Sequence, residues 1–174
     1  MKTLIIVDMQ NDFITGPLGT PEAREVEDKI VEWLDHFPYN RILLTRDTHD
    51  EDYLGTKEGK KLPIIHCKEK TLGWEFSDKI MQAIKASNIH WFSIYKRAFG
   101  FCGWEDVPLR GREDDEIDIV GVCTDICVIS NALILKSQYP EATIRVISFL
   151  CAGTTPEMHE KALDVMRSCQ IEVI

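Results

Sequence analysis

The chain has 174 residues, 44% of them hydrophobic and 28% charged, which is enough for one ordinary globular domain with a real core. Its net charge of −9 argues against nucleic acid as a partner, because phosphate binding needs a basic face. Six scattered cysteines without a Cys-x-x-Cys pair fit reduced thiols in a cytoplasmic protein better than a disulfide scaffold.

Leu4 to Val7 is a continuous apolar run closed by Asp8, the pattern of a strand buried on both faces. It is too short for a signal peptide or a membrane span, so no membrane partner is expected. Gln10 to Ile14 and a Gly-Pro-Leu-Gly turn follow. Thr20 and Pro21 then read as N-cap and first residue of a helix whose inner face is Val26, Ile30, Trp33, Leu34 and Phe37, stopped by Pro38. Arg41 to Asp47 is a second strand. Residues 54 to 76 lack periodicity, and so long a loop in a compact domain is usually functional.

Ser77 caps a helix carrying Ile80, Met81 and Ile84, and His90 to Tyr95 is a third strand ending at Lys96. A second irregular stretch runs from Arg97 to Asp115. Ile117 to Val122 reads as the fourth strand, turning sharply at Gly121-Val-Cys-Thr124 into a helix from Asp125 to about Gln138. Thr143 to Phe149 is a fifth strand. Thr154-Thr-Pro156 opens the last helix, with Met158, Ala162, Val165 and Met166 inward, and Ile171 to Ile174 is a short final strand. This alternation predicts a three-layer α/β/α fold around a mostly parallel, Rossmann-like sheet of about six strands, in a single domain spanning residues 1–174. Ligands bind such sheets beyond the carboxyl ends of the strands. Asp8, Asp47 with His49, Lys96 and Cys127 all fall at that edge.

Two constellations result. Cys127 sits in the first turn of a helix, where the dipole favours an anion, so a depressed thiol pKa is expected. Asp8 is placed to take its proton and later return it, Lys96 to hold Asp8 and favour the thiolate, and the N–H groups of Cys123 and Cys127 to bind an oxyanion. Singly, each has a plainer account: Cys127 as a core cysteine, Asp8 as a turn acid, Lys96-Arg97 as a solvated pair. A Cys123/Cys127 redox pair is a further alternative, though its spacing is wrong for the usual motif. In the second constellation, Asp47 and His49 point to the same side of an extended segment. His66 is the obvious third metal ligand and Glu58 a fourth, a mixed N/O set suited to zinc, manganese or iron(II).

The residues Val7-Asp8-Met-Gln-Asn-Asp-Phe13, Thr45-Arg-Asp47-Thr-His49, Leu62-Pro-x-x-His66-Cys67, Lys96 and Gly121-Val-Cys-Thr-Asp-Ile-Cys127-Val resemble, in order, the isochorismatase-like cysteine hydrolases, and among them the nicotinamidases. The resemblance implies a Cys127–Asp8–Lys96 triad, a cis peptide before Cys123, and a divalent metal at Asp47, His49 and His66, most often zinc, that binds a pyridine nitrogen. It implies hydrolysis of nicotinamide or another small amide or carbamoyl compound, often by a homo-oligomer. Two departures stand out: Leu62 replaces the usual Trp, and Ala98-Phe-Gly-Phe-Cys-Gly-Trp104 replaces an aromatic-rich stretch after the lysine. Phe13, Phe99 and Phe101 are the candidate walls for an aromatic ring, with core packing as the alternative.

Overall fold

The computed structural model describes residues 1–109 and 111–174. Arg110, inside the expected irregular stretch, lies outside the described residues. Six strands, β1 (Lys2–Val7), β2 (Arg41–Asp47), β3 (Trp91–Lys96), β4 (Glu116–Val122), β5 (Thr143–Ala152) and β6 (Glu172–Val173), form one sheet in the order β3-β2-β1-β4-β5-β6. Every pairing is parallel, so the expected α/β architecture is observed.

The chain builds outward from β1 to β3, returns to the centre, and builds outward again from β4 to β6. The strand order therefore reverses between β1 and β4, and a crevice opens there beyond their carboxyl ends. Continuous apolar runs suit these strands because helices cover both faces. Leu4 and Ile6 join the core under α2 (Pro21–His36) and α4 (Asp78–Ala86), whereas Ile5 and Val7 join the core under α5 (Ile129–Gln138) and α6 (Pro156–Ser168). Thr20 accepts the Ala23 N–H at the start of α2, and Thr155 accepts the Met158 N–H at the start of α6, each followed by proline at the first helical position.

One buried charge interrupts the apolar run of β4. Asp118 accepts hydrogen bonds from Tyr39 Oη at 2.8 Å and Arg145 Nε at 2.6 Å, which offset its desolvation. At the crevice end, Gly121 has φ +115°, and a Cβ there would lie 2.2 Å from the Val7 carbonyl oxygen. Glycine lets β4 approach β1 this closely.

Several elements differ from expectation. Asn11–Ile14 forms a short helix, α1. The long loop holds a 3-10 turn, Tyr53–Gly55, and the helix α3, Lys57–Lys61. The segment after β4 starts as a π-helical turn, Thr124–Val128, and becomes α-helical only at Ile129. Strand β5 continues to Ala152, and β6 is only two residues. On α6 the inner face is Ala162, Leu163 and Met166, while Met158 and Val165 lie out at 40% and 48% exposure. Phe37 is likewise exposed, stacked on half-buried Trp33 rather than on the sheet, because Pro38 turns the chain away before it can reach the core.

Candidate active site

Four strand ends deliver the polar groups of the crevice. Asp8 follows β1 with φ +50°, which swings its carboxylate across the end of the sheet. It is fully buried. The Thr45 hydroxyl on β2 donates to Asp8 Oδ1 at 2.6 Å, and Lys96 Nζ at the end of β3 lies 2.6 Å from Oδ2. The same ammonium reaches Cys127 Sγ at 3.5 Å, Asp47 Oδ1 at 3.3 Å and the Ala98 carbonyl at 3.2 Å. Asp8, Lys96 and Cys127 are therefore brought together as the sequence predicts.

Their electrostatics correct one expectation. Burial, then the neighbouring Asp8 carboxylate, push the Cys127 thiol well up, and the Lys96 charge opposes them without winning. Being in the first turn of a helix does not leave it a resting thiolate, because that turn is closed off from water. Burial also raises Asp8, against the pull of Lys96. Lys96 is held protonated: burial works against its charge, but the Asp8 and Asp47 carboxylates outweigh it. The resting arrangement is a neutral thiol beside a carboxylate–ammonium pair, with the Lys96 ammonium touching both Cys127 and Asp8.

The peptide bond between Val122 and Cys123 is cis. In the following turn the N–H groups of Ile126 and Val128 both donate to the Cys123 carbonyl.

Across the pocket, one ligand atom each from buried Asp47, His49 and His66 fall within 4.8 Å of one another. His66 Nδ1 is 2.8 Å from the Ile64 carbonyl, which turns Nε2 toward Asp47 Oδ2 at 3.7 Å. His49 Nε2 lies 3.0 Å from the same oxygen, poorly angled for a hydrogen bond, and is buried without a proper partner. Burial pushes His49 down, but the Asp47 carboxylate outweighs it and raises it, so this corner of the pocket favours positive charge. The orphaned nitrogen and the N/N/O donor set thus fit a divalent metal such as zinc. Glu58 on α3 stands at the margin, its Oε1 3.8 Å from His49 Nε2. Burial pushes Asp47 up, but His49 and the Lys96 ammonium bring it below its ordinary value.

Between the two constellations is a cavity of about 330 Å³ lined by Phe13, Leu18, Leu62, Phe99 and Ile126, with Cys127, Cys123, Asp47, Glu58 and His66 at its polar end. Phe13 packs edge-on against His66, with ring centroids 5.7 Å apart. Phe99 is half exposed at the wall. Phe101 is not among the lining residues: its ring turns onto Trp104, 5.2 Å away, because the Asn131 side chain holds the Phe101 N–H. For Phe101, core packing was the right account.

Sequence reasoning missed four supporting residues. Thr45 and Gln10 lie inside the motifs quoted above, so their positions were visible but their contacts were not. Asn131, four residues after Cys127 and hence one turn along, donates to the Cys127 carbonyl at 2.8 Å and accepts from Phe101. Asp125 binds both the backbone N–H and the hydroxyl of Thr154, another residue of the cavity wall.

Residues 2–174 match the family model for the isochorismatase domain. The chain belongs to the isochorismatase family. Among curated members, the nicotinamidase/pyrazinamidase of Mycobacterium tuberculosis is 31% identical over an alignment covering all of this chain and 98% of that one. The nicotinamidase/pyrazinamidase structure from Bacillus subtilis superposes with a TM-score of 0.82 at 28% identity, over 99% of this chain and 98% of that one. The pyrazinamidase of Pyrococcus horikoshii, solved in complex with zinc, gives 0.76 at 27% identity over the same shares. This member of the isochorismatase family thus resembles amidases along its whole length.

Proposed function

We propose that the chain is a nicotinamidase-like amidohydrolase that converts nicotinamide to nicotinate and ammonia through a thioester on Cys127. One observation carries the reading: a Cys–Asp–Lys cluster and an Asp–His–His cluster face each other across one small cavity and touch through the Lys96–Asp47 contact. The full-length match to amidases supports it.

In this reading Asp47, His49 and His66, with Glu58 alongside, hold a divalent cation, zinc first with manganese or iron(II) as alternatives. Bound there, it supplies a Lewis-acid anchor for the pyridine nitrogen. Phe13 and Phe99 flank the ring. Asp8 takes the Cys127 proton as the sulfur attacks the carboxamide carbon, so no free thiolate has to form in the buried site beforehand. The N–H groups of Cys123 and Cys127 receive the developing oxyanion. Asp8 returns its proton to the departing nitrogen, and ammonia leaves. Asp8 then deprotonates a water that attacks the thioester, and the proton passes to the thiolate as nicotinate forms. Lys96 stays charged throughout and keeps Asp8 aimed at the sulfur.

Phe101's absence from the wall leaves the cavity more aliphatic than an aromatic cage, which favours another small amide or carbamoyl compound as the second reading. We also propose a cytoplasmic location, in keeping with six free cysteines, and a homo-oligomer, for which exposed Phe37 and Phe149 beside Trp33 offer apolar surface. No described helix is long and apolar enough to cross a membrane. Acid-quenched mass spectrometry during turnover is expected to find a nicotinoyl group on the peptide carrying Cys127. Turnover that continues in Cys127→Ala would contradict the mechanism.

A further inference from the structure

Gln10 and Asp12 carry no chemistry in the reading above, yet Gln10 holds the backbone of Asp47 and Asp12 holds that of Cys67, next to His66. Gln10 is fully buried. Its Oε1 accepts the Asp47 N–H at 2.7 Å, and its Nε2 donates to the Asp47 carbonyl at 2.9 Å and to the Trp74 carbonyl at 2.9 Å. One side chain thus grips both backbone groups of the first ligand. Asp12 Oδ2 accepts the Cys67 N–H at 2.7 Å, immediately after His66. The Cys67 carbonyl in turn accepts the His49 N–H at 2.9 Å. The chain of contacts runs from Asp12 through Cys67 to His49, with His66 fixed one residue away.

Both braces belong to the segment that begins with Asp8, and the Gln10 N–H donates to the Asp8 carbonyl at 2.7 Å. Residues 72–77 wrap this segment, through Asn11 N–H to Glu75, Asp12 N–H to Gly73 and Ser77 N–H to Met9. Asp12 also packs so tightly on Gly73 that a Cβ there would lie 2.1 Å from its Oδ1. Neither Gln10 nor Asp12 is placed to donate an atom to the cation, so their influence runs through ligand position.

We infer that Gln10 and Asp12 are positioning residues that set the cation affinity of the Asp47–His49–His66 cluster, and so tie the segment carrying the base to the opposite wall of the pocket. This rests on the metal reading above. Rigid outer contacts hold ligands converged on a cation; losing such contacts typically weakens metal binding 10- to 100-fold.

The test uses the metal-stripped full chain with zinc ion as probe, its affinity read by competition with a chromophoric chelator. Gln10→Met keeps volume and removes all three hydrogen bonds, Asp12→Ala removes the acceptor, and Asp12→Asn retains one. Tyr39→Phe is the control, since it breaks the buried bond to Asp118 away from the cluster. The expected result is a zinc Kd raised about 10- to 100-fold in Gln10→Met and Asp12→Ala, and within about threefold of wild type in Asp12→Asn and Tyr39→Phe. A merely structural role would lower the melting temperature while leaving Kd no more changed than in Tyr39→Phe, and that result would overturn the inference. If Gln10→Met does not fold, the Asp12→Ala and Asp12→Asn pair decides by the same criterion. A wild-type chain that takes up no zinc would contradict the metal reading itself, and the inference with it.

Discussion

At the scale of single residues, the proposed chemistry depends on a thiol that is hard to ionise beside a carboxylate that is hard to ionise. Burial raises both Cys127 and Asp8, and the Lys96 ammonium keeps the pair workable. Cys127→Ala should retain the circular dichroism spectrum of the wild type and lose turnover by at least about 10⁴-fold, as removal of a nucleophile usually does. The base works only when ionised, so its activity is present above its folded pKa and disappears as pH falls through it. Because that pKa is raised, the acid limb of kcat/KM should lie above the ordinary aspartate value of about 3.9. The Thr45 hydroxyl stabilises the ionised form, so Thr45→Val should move the limb to still higher pH. A pH–rate profile measures both, and a limb that moves down in Thr45→Val would remove Asp8 from the role of base.

At the scale of elements, the site is a product of where strands stop. Asp8, Asp47, Lys96 and Cys127 are local in the sequence to four separate strand ends, and each strand is mostly apolar. For that reason the sheet, its direction and the triad could be read from the chain before any contact was known. What escaped was set by tertiary neighbours. Which of Leu163 and Val165 turns inward on α6 differs by half a turn of helix, and both are apolar, so periodicity does not choose between them. Phe101 faces Trp104 because Asn131 holds its backbone, a contact across 30 residues. The π-helical turn at Cys127 likewise has no pattern of its own in side-chain type. The approach of β4 to β1 gives a test at this scale. In Gly121→Ala the new Cβ meets the Val7 backbone in a conformation that L residues avoid, so folding should lose about 3 kcal/mol or more. Urea denaturation measures it, and an unchanged midpoint would mean that the two strands are not so closely apposed.

At the scale of the whole molecule, strand order does the gathering. Building outward from the centre twice brings two clusters to one crevice, so that Cys127–Asp8–Lys96 and Asp47–His49–His66 become walls of the same cavity. A net charge of −9 does not hinder a neutral amide from entering, and it favours departure of a carboxylate product. The match over residues 2–174 places this architecture in the isochorismatase family, whereas the choice of substrate rests on the paired clusters. The most direct measurement is ammonia release from nicotinamide by the purified chain, before chelation, after chelation and after zinc is restored. The account predicts release that is lost on chelation and regained with zinc. Release that persists at full rate in the chelated protein would show that the Asp47–His49–His66 cluster has no part in the reaction, and absence of release from the zinc-loaded protein would contradict nicotinamide as the substrate.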